Sequence, residues 1–370
     1  LENTFSNVAL DENITVLLSN ESQKDFAKQF LNVLELATYK KNFNKVTFDI
    51  RFFETNEELN KIISNTKKKG KIYIGPIKSK HTKTIKQHCD SELLFFSFSS
   101  DPSLANNCVY LVNFFPKNEL EELFRSLPKN SKVALLYAEN NYGYTINFLI
   151  DEVANNSDSV LINRSSYKND LSNVRDSIKE LGKYELRKFE LDRQKQILLT
   201  KNDDFSKQRL KKLLKFKTTN DYDFTHVLIA DYGINLLQVA PLLPYYDIDP
   251  NIVQFMATGV IDDQNFFFEP SLQGAIFPGI PRHKRQALRL EYKEIYDSEL
   301  LRVSTLPYDL IGLLNYAFSK DIKLNELYKL LNNSGIKFNG VDGKFYFKDN
   351  LIERDLEILK IFNGEAKLFN

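Results

Sequence analysis

The loop Gly75-Pro-Ile-Lys-Ser79 contains residues whose types and order are suited to binding a ligand. It joins a predicted strand to a predicted helix, and the free N–H groups at the start of a helix can bind an anion. Lys78 and Lys80 flank Ser79 and add positive charge, which favours a carboxylate or a phosphate. The alternative is that Ser79 only caps the helix.

Patterns typical of enzymes are missing from the sequence. It has no Gly-x-Ser-x-Gly nucleophile elbow, no Gly-x-x-x-x-Gly-Lys phosphate loop and no Gly-x-Gly-x-x-Gly dinucleotide loop. The acidic pair Asp262-Asp263 lies on a predicted loop, and we interpret it as solvated rather than catalytic. The histidines show no metal-ligand spacing; they are His81, His88, His226 and His283. We therefore expect no catalytic residue, no metal ion and no cofactor.

Short apolar runs that alternate with helical patterns must position these loops. The runs are nearly continuous in hydrophobicity, as expected of strands that are buried on both faces. They are Ile14–Leu18, Val46–Phe53, Lys71–Ile74, Leu93–Phe98, Lys132–Tyr137, Ser159–Ile162 and His226–Ala230. Such alternation predicts βαβ units and parallel sheets, whose ligands bind at the carboxyl ends of the strands.

Length and charge narrow the class of protein. The chain has 370 residues, more than the ~250–300 at which single cores usually stop growing, so we expect two lobes. Its 50 basic and 49 acidic residues give no electrostatic argument for a nucleic-acid partner or an anionic membrane. No run approaches the ~20 apolar residues of a membrane span, and we recognise no signal peptide. Because the sequence begins at Leu1, we expect a mature or truncated form of a longer protein.

The two cysteines, Cys89 and Cys108, each lie just outside a predicted strand. They could approach one another in an oxidising compartment. Spacing alone does not decide the geometry, so a disulfide and two free thiols both remain open.

Two extended segments that run into Pro116 and Pro281 predict crossings between the lobes. We assign residues 11–116 and 281–335 to lobe 1, and residues 117–280 and 336–370 to lobe 2. The tail of lobe 2 has the turn chemistry and alternation of antiparallel hairpins. Its predicted strands are Lys344–Phe347, Asp355–Phe362 and Lys367–Phe369.

Residues 171–218 form a long, highly charged stretch within lobe 2, with apolar residues at helical spacing. One interpretation is a solvated helical hairpin packed on the lobe. The other is a protruding element that binds a partner.

Two crossings between βα lobes, followed by a hairpin tail, resemble the type I periplasmic-binding-protein fold of branched-chain amino-acid receptors. Three segments are similar to the alphaproteobacterial penicillin-binding-protein activator family, and the resemblance runs from about Ile14 to the C-terminus. They are Gln238–Pro250, Ala257-Thr-Gly259 with Asp262-Asp263, and Gly340-Val-Asp-Gly343 with Glu353–Leu356. The charged stretch at 171–218 also resembles an insertion in that group.

The resemblance implies ligand-binding loops at the strand ends. In the receptors the loop at Ser79 carries hydroxyls that bind a ligand carboxylate, and Ser99 and Ser100 follow the next strand where a second hydroxyl is expected. Glu139-Asn-Asn-Tyr-Gly143 matches a turn of the fold, in which the glycine permits a positive φ and Tyr142 covers a ligand. Two further loops supply the other candidates, Tyr232 and Thr258. Ordinary turn or hinge chemistry is the alternative for each loop.

The segment Tyr245-Tyr246-Asp247 belongs to the part that most resembles the activator family. Its neighbours Pro241, Pro244 and Pro250 favour a rigid packing corner over a functional role.

The resemblance implies a non-catalytic periplasmic protein, lipid-anchored in its full-length form, that regulates peptidoglycan synthesis by binding a penicillin-binding protein or another envelope protein. The membrane would be reached only through that anchor, and no nucleic acid is expected. The alternative is a receptor that captures a small anionic or amino-acid-like ligand between its lobes for an ABC transporter, with a hinge that permits closure.

Overall fold

The computed structural model describes residues 5–20 and 24–369. The chain divides into two compact units. Unit 1 comprises Leu1–Phe115 and Arg282–Asp355, and unit 2 comprises Pro116–Pro281 and Leu356–Asn370. Each unit has a parallel-dominated sheet flanked by helices, which confirms the predicted α/β class.

The strands are numbered in chain order. They are β1 (Asn13–Ser19), β2 (Thr47–Phe53), β3 (Lys71–Ile74), β4 (Leu93–Ser97), β5 (Val109–Leu111), β6 (Lys132–Ala138), β7 (Val160–Tyr167), β8 (His226–Ala230), β9 (Gln254–Met256), β10 (Ile276–Gly279), β11 (Phe338–Gly340), β12 (Gly343–Lys348), β13 (Leu351–Arg354), β14 (Glu357–Phe362) and β15 (Glu365–Leu368).

The α-helices are numbered in the same way. They are α1 (Lys24–Lys40), α2 (Asn56–Thr66), α3 (Ser79–Ile85), α4 (Pro116–Arg125), α5 (Asn141–Asn155), α6 (Val174–Leu181), α7 (Tyr184–Leu199), α8 (Asp204–Leu213), α9 (Gly233–Val239), α10 (Leu242–Tyr245), α11 (Gln264–Phe267), α12 (His283–Tyr296), α13 (Thr305–Ser319) and α14 (Leu324–Leu331).

In unit 1 the strands β5, β4, β3, β1 and β2 lie side by side in that order and run parallel. Every residue of β3 and β4 is buried, which is why their hydrophobicity is continuous. β2 lies at the edge of the sheet and is largely exposed. The loops that follow β3 and β4 therefore emerge next to each other at one end of the sheet.

In unit 2 the strands β7, β6, β8, β9 and β10 are parallel, and β14 and β15 complete the other edge as an antiparallel pair. The core of this unit lies on both faces of the sheet. The buried strand β8 ends at Ala230, so Asp231 and Tyr232 begin the loop at its carboxyl end.

The tail is divided between the two sheets, so the assignment of 336–370 to lobe 2 is wrong for β11, β12 and β13. These strands extend the sheet of unit 1, where β13 pairs with β5. The ring of Phe347 packs against Phe96 and Tyr110 at centroid distances of 6.3 and 5.4 Å. A third boundary between the units therefore lies between Asp355 and Leu356.

A buried group of charges ties β13 to unit 1. Arg354 donates from Nη1 to Asp309 Oδ2 at 2.9 Å, and Arg285 Nη1 lies 2.9 Å from Asp342 Oδ1. Arg302 Nε also contacts Asp342, at 3.2 Å. Asp342 and Arg354 come from two of the segments that carry the resemblance to the activator family. In this chain they hold the fold of unit 1.

Residues 171–218 fold as three helices rather than one hairpin. α6 packs on β7 and buries Val174, Ile178 and Leu181 in the core of unit 2. α7 and α8 pack against each other and form the helical pair that follows.

The structure joins Cys89 and Cys108 in a disulfide with a Cα–Cα distance of 5.6 Å. The bond links the segment after α3 to the start of β5, so it closes the β4 crossover of unit 1. Among the described residues, the helices lack the length and apolar character that a bilayer crossing requires.

Candidate functional site

In unit 1 the structure brings Ser79 and Ser99 together. Their Oγ atoms are 2.7 Å apart, and Ser99 Oγ also accepts a hydrogen bond from the amide of Asp101 at 3.1 Å. Ser99 is buried, whereas Ser100 beside it is exposed. We call Ser79 and Ser99 the hydroxyl pair.

Ser97 holds the two loops of the hydroxyl pair in place. Its hydroxyl donates to the carbonyl of Pro76 at 2.9 Å and lies 2.7 Å from Thr82 Oγ1. The peptide bond between Gly75 and Pro76 is cis. Ser79 is the first residue of α3. That helix has only seven residues, so its dipole adds little and the hydroxyls are the main binding groups.

In unit 2 the structure brings Tyr142, Tyr232 and Thr258 together. The hydroxyls of Tyr142 and Thr258 are hydrogen-bonded, and the rings of Tyr142 and Tyr232 meet edge to face with centroids 5.7 Å apart. Thr258 is buried, and Tyr232 is exposed. We call these three residues the tyrosine cluster.

Two buried carboxylates adjoin the tyrosine cluster, and sequence reasoning did not select either. Glu119 accepts a hydrogen bond from the amide of Gly259 at 3.0 Å. Asp231 accepts from the hydroxyl of Tyr167 at 2.8 Å and from the amide of Tyr232 at 2.9 Å. A carboxylate directly after a buried strand was the signal for Asp231. Glu119 has no such signal, because it meets Gly259 only through the fold.

The phenols of unit 2 stay protonated at neutral pH. Burial raises the pKa of Tyr142, and the carboxylates of Glu119 and Asp231 raise it further. Burial also raises the pKa of Tyr167, with the charge of Asp231 acting in the same direction. Both side chains are therefore hydrogen-bond donors, and neither becomes an anion that could act as a nucleophile or a base.

The glycines of the two Tyr-Gly turns have different roles. Gly143 lies inside α5 without a positive φ, so the expected reason for this glycine is wrong. A Cβ at this position would lie 2.0 Å from the carbonyl oxygen of Ala138, so close approach of the backbone requires glycine. Gly233 does have a positive φ, of 59°.

The histidines have structural partners. His81 Nδ1 lies 2.8 Å from Asn56 Oδ1, and His88 Nε2 lies 2.6 Å from Asn60 Oδ1. Across residues 5–20 and 24–369, no group of three or more His, Cys, Asp or Glu residues is placed to hold a metal ion. The hydroxyl pair can exchange hydrogen bonds with a carboxylate, and the tyrosine cluster offers aromatic and acidic groups suited to an ammonium.

The segment at Tyr246 and Asp247 packs against a buried arginine, as a packing corner would. Arg187 donates from Nη1 to the carbonyl of Asp247 at 3.1 Å and from Nη2 to that of Tyr246 at 3.4 Å. The hydroxyl of Tyr222 donates to the same carbonyl of Asp247. The main-chain carbonyls of this corner are thus engaged by the protein itself.

Solved structures with the same architecture include receptors and a regulator. One described as a branched-chain amino acid ABC transporter from Rhodospirillum rubrum matches with a TM-score of 0.73 and 11% identity, over 98% of this chain and 100% of that one. The ABC transporter substrate-binding protein of Desulfitobacterium hafniense in complex with Leu matches with a TM-score of 0.61 and 14% identity, over 96% and 99%. The chain has the type I periplasmic-binding-protein fold.

A third structure of this fold is the C-domain of LpoA (YraM) from Haemophilus influenzae, a regulator of PBP1A. It matches with a TM-score of 0.62 and 14% identity, over 97% of this chain and 100% of that one. No protein-family model and no curated protein matches the sequence. Identities this low show the fold and leave the function open.

Proposed function

We propose that this chain is a non-catalytic binding protein of the cell envelope that regulates peptidoglycan synthesis by docking on a penicillin-binding protein. The observation that carries the proposal is an exposed apolar stripe on α7, formed by Leu186, Phe189 and Ile197. Phe189 leaves 66% of its surface in solvent and Leu186 leaves 63%. Large side chains exposed together typically mark an interaction surface.

The stripe is a second apolar side of α7, separate from the side that faces the protein. With about 100° of rotation per residue, Leu186, Phe189 and Ile197 fall on one side of the helix. Leu191 and Leu198 fall on another side and are buried. Because α7 already buries one apolar side, its exposed stripe is not needed to hold the helix in place.

Arg187 fixes the base of the helical pair, so the stripe is presented on a rigid element. Its guanidinium is buried and donates to the carbonyl of Gly182 at 2.7 Å and to that of Thr219 at 2.8 Å. It also stacks over the ring of Tyr222, with its Cζ atom 4.5 Å from the centroid. A pre-organised surface loses less conformational entropy when it binds.

A periplasmic location, with a lipid anchor in the full-length form, completes this proposal. The Cys89–Cys108 disulfide supports it, because such bonds persist in oxidising compartments and are rare in the cytosol. The fold shared with LpoA, a regulator of PBP1A, points to a synthase as the partner.

The test is capture of a purified bifunctional penicillin-binding protein, followed by a measurement of its glycan polymerisation. We expect Leu186→Asp with Phe189→Asp to weaken capture by about tenfold or more and to abolish the effect on polymerisation. Phe148→Asp is the matched control, because that ring on α5 is 81% exposed and lies outside the stripe. No capture and no change in polymerisation with the lipidated full-length protein would contradict the proposal.

A solute receptor for a small anionic or amino-acid-like ligand is the second candidate. The hydroxyl pair and the tyrosine cluster favour it, since each gathers side chains from separate strand ends. A thermal-shift screen of amino acids, peptides and muropeptide fragments tests it, because a ligand at about 100 times its dissociation constant adds ~2.7 kcal/mol of stability. A shift that disappears in Ser99→Ala and Tyr142→Phe supports the receptor, and no shift with any compound counts against it.

A further inference from the structure

Residues 205–217, which we call the basic segment, concentrate positive charge on one surface of unit 2. The segment contains six cations and no carboxylate, although the whole chain carries a net charge of only +1. The cations are Lys207, Arg209, Lys211, Lys212, Lys215 and Lys217. The balanced composition therefore conceals a local excess of charge.

The six cations are exposed and lack ion pairs. Each is classed among the exposed residues of unit 2. Within residues 5–20 and 24–369, none of them has a carboxylate oxygen within 4.0 Å; the closest described interaction places Lys217 over the ring of Tyr245 at 5.9 Å. The positive potential of the segment is thus not neutralised by the protein.

Large apolar side chains lie among these cations. Phe205 is 74% exposed, Leu214 65% and Phe216 49%. Along α8, Phe205 shares one flank with Arg209 and Lys212, because these residues lie within about 60° of one another. Leu214 continues the opposite flank, which contains Lys207 and Lys211. The inner side of the helix consists of Ser206, Leu210 and Leu213, which are the less exposed residues.

Both ends of the basic segment are fixed. The Asp203 carboxylate caps α8 by accepting from the amide of Ser206 at 2.8 Å. After the last cation, Thr218 is buried and its hydroxyl accepts from Arg187 Nη1 at 3.0 Å. The segment therefore does not need to fold when it meets a partner.

We propose that the basic segment docks on an anionic phospholipid surface. Acidic headgroups complement the unpaired cations, and the boundary with the acyl chains accepts Phe205, Leu214 and Phe216. A nucleic-acid backbone would complement the charge but leave these apolar side chains in water. A lipid surface also adapts to cations that point to both flanks of α8, which a rigid protein partner does only if its carboxylates match that arc.

This contact is separate from the lipid anchor and from the apolar stripe of α7. It would hold unit 2 against a membrane by its own side chains, and it acts whether or not a penicillin-binding protein is the partner. Failure of the lipid contact therefore leaves the proposed regulation intact, and failure of the regulation leaves the lipid contact intact.

The experiment is co-sedimentation of this chain, without an anchor, with vesicles of phosphatidylcholine alone or with 30% phosphatidylglycerol added. We expect binding only to the anionic vesicles, and binding that falls steeply as salt rises from about 0.05 to 0.5 M because the charges are exposed. Equal binding to both vesicles, or none to either, overturns the proposal. So does recovery with acidic proteins or with isolated peptidoglycan but not with lipid.

Matched triple variants locate the contact. We expect Lys211→Gln, Lys212→Gln and Lys215→Gln together to weaken binding to the anionic vesicles about 100-fold, at about fivefold per cation. The control is Lys67→Gln, Lys68→Gln and Lys69→Gln, which removes the same charge from unit 1 and is expected to change binding less than threefold. Equal losses in both variants would overturn the assignment. Circular dichroism and the salt titration of the unaltered protein keep the test independent of folding.

The apolar contribution is tested separately with Phe205→Ser and Phe216→Ser. We expect about tenfold weaker binding with the salt dependence retained, because rings are lost and charges are not. Unchanged binding would show that the rings stay out of the lipid and would overturn this part of the proposal.

Discussion

Two lysine-rich stretches of this chain have opposite surroundings. In unit 1, Lys67, Lys68 and Lys69 each lie next to a carboxylate, at 2.5 Å from Asp90, 2.7 Å from Asp11 and 3.2 Å from Glu92. In unit 2, no described carboxylate pairs with the cations of the basic segment, residues 205–217. The first stretch is part of the fold, and the second is available for a partner.

The comparison shows that a run of lysines has no fixed meaning until its partners are known. Lys71 follows the first stretch and is only 1% exposed. Its ammonium contacts the carbonyl and, at 2.7 Å, the side-chain oxygen of Asn13, and lies 3.1 Å from Asp11. Composition predicts neither this burial nor the exposure of the basic segment.

Removing the buried lysine should have the largest effect. We expect Lys71→Met to lower the free energy of unfolding by about 4 kcal/mol, because Asp11 and the oxygens of Asn13 lose a buried donor. Urea denaturation measures the change. A loss below about 1 kcal/mol would place Lys71 with the exposed lysines and break the comparison.

Removing the buried cation at the base of the helical pair should have the next largest effect. We expect Arg187→Met to cost about 3 kcal/mol, because several carbonyls of unit 2 lose their donor. The same denaturation experiment applies, with Arg193→Met on the same helix as the exposed control. Equal losses in the two variants would contradict the distinction between buried and exposed cations.

The pH dependence of stability provides a smaller effect with a defined sign. Burial alone would raise the pKa of Asp11, but hydrogen bonds from Lys68, the amide of Asn13 and Lys71 lower it below its usual value. A lowered pKa stabilises the fold above the unfolded value of about 3.9, and this contribution is lost as the pH falls through the folded pKa. Asp11→Asn should therefore lose less stability than the unaltered protein between about pH 5 and 2. Parallel curves would contradict this.

The smallest effects on stability should come from the exposed lysines. We expect Lys67→Gln, Lys68→Gln and Lys69→Gln together to cost about 1 kcal/mol, as exposed ion pairs contribute little. Removing Lys211, Lys212 and Lys215 in the same way should leave stability within about 0.5 kcal/mol or raise it slightly, since only repulsion is lost. Thermal denaturation of both variants makes the comparison. A clear loss in the second variant would mean that its lysines have structural partners.

The fold was largely predictable because buried parallel strands are continuous in hydrophobicity and their loops contain recognisable turns. The division of the tail was not predictable. Alternating strands such as β12 fit the edge of either sheet, and Arg354 meets Asp309 across 45 residues of chain. Contacts of that kind have no local signature.

The candidate site was predictable in part for the same reason. Ser79 with Ser99, and Tyr142 with Thr258, were selected from loops at strand ends, and the structure places each pair in contact. Glu119 was missed because its partner Gly259 is 140 residues away. The basic segment was missed because charge was averaged over the whole chain.

Hydrogen–deuterium exchange, measured with and without vesicles containing phosphatidylglycerol, tests the central claim most directly, because one experiment reports on both lysine-rich stretches. The account predicts that lipid slows amide exchange in peptides covering residues 205–217 and leaves peptides covering residues 67–71 unchanged. Protection at 67–71, or none at 205–217 while the protein sediments with the vesicles, would contradict it.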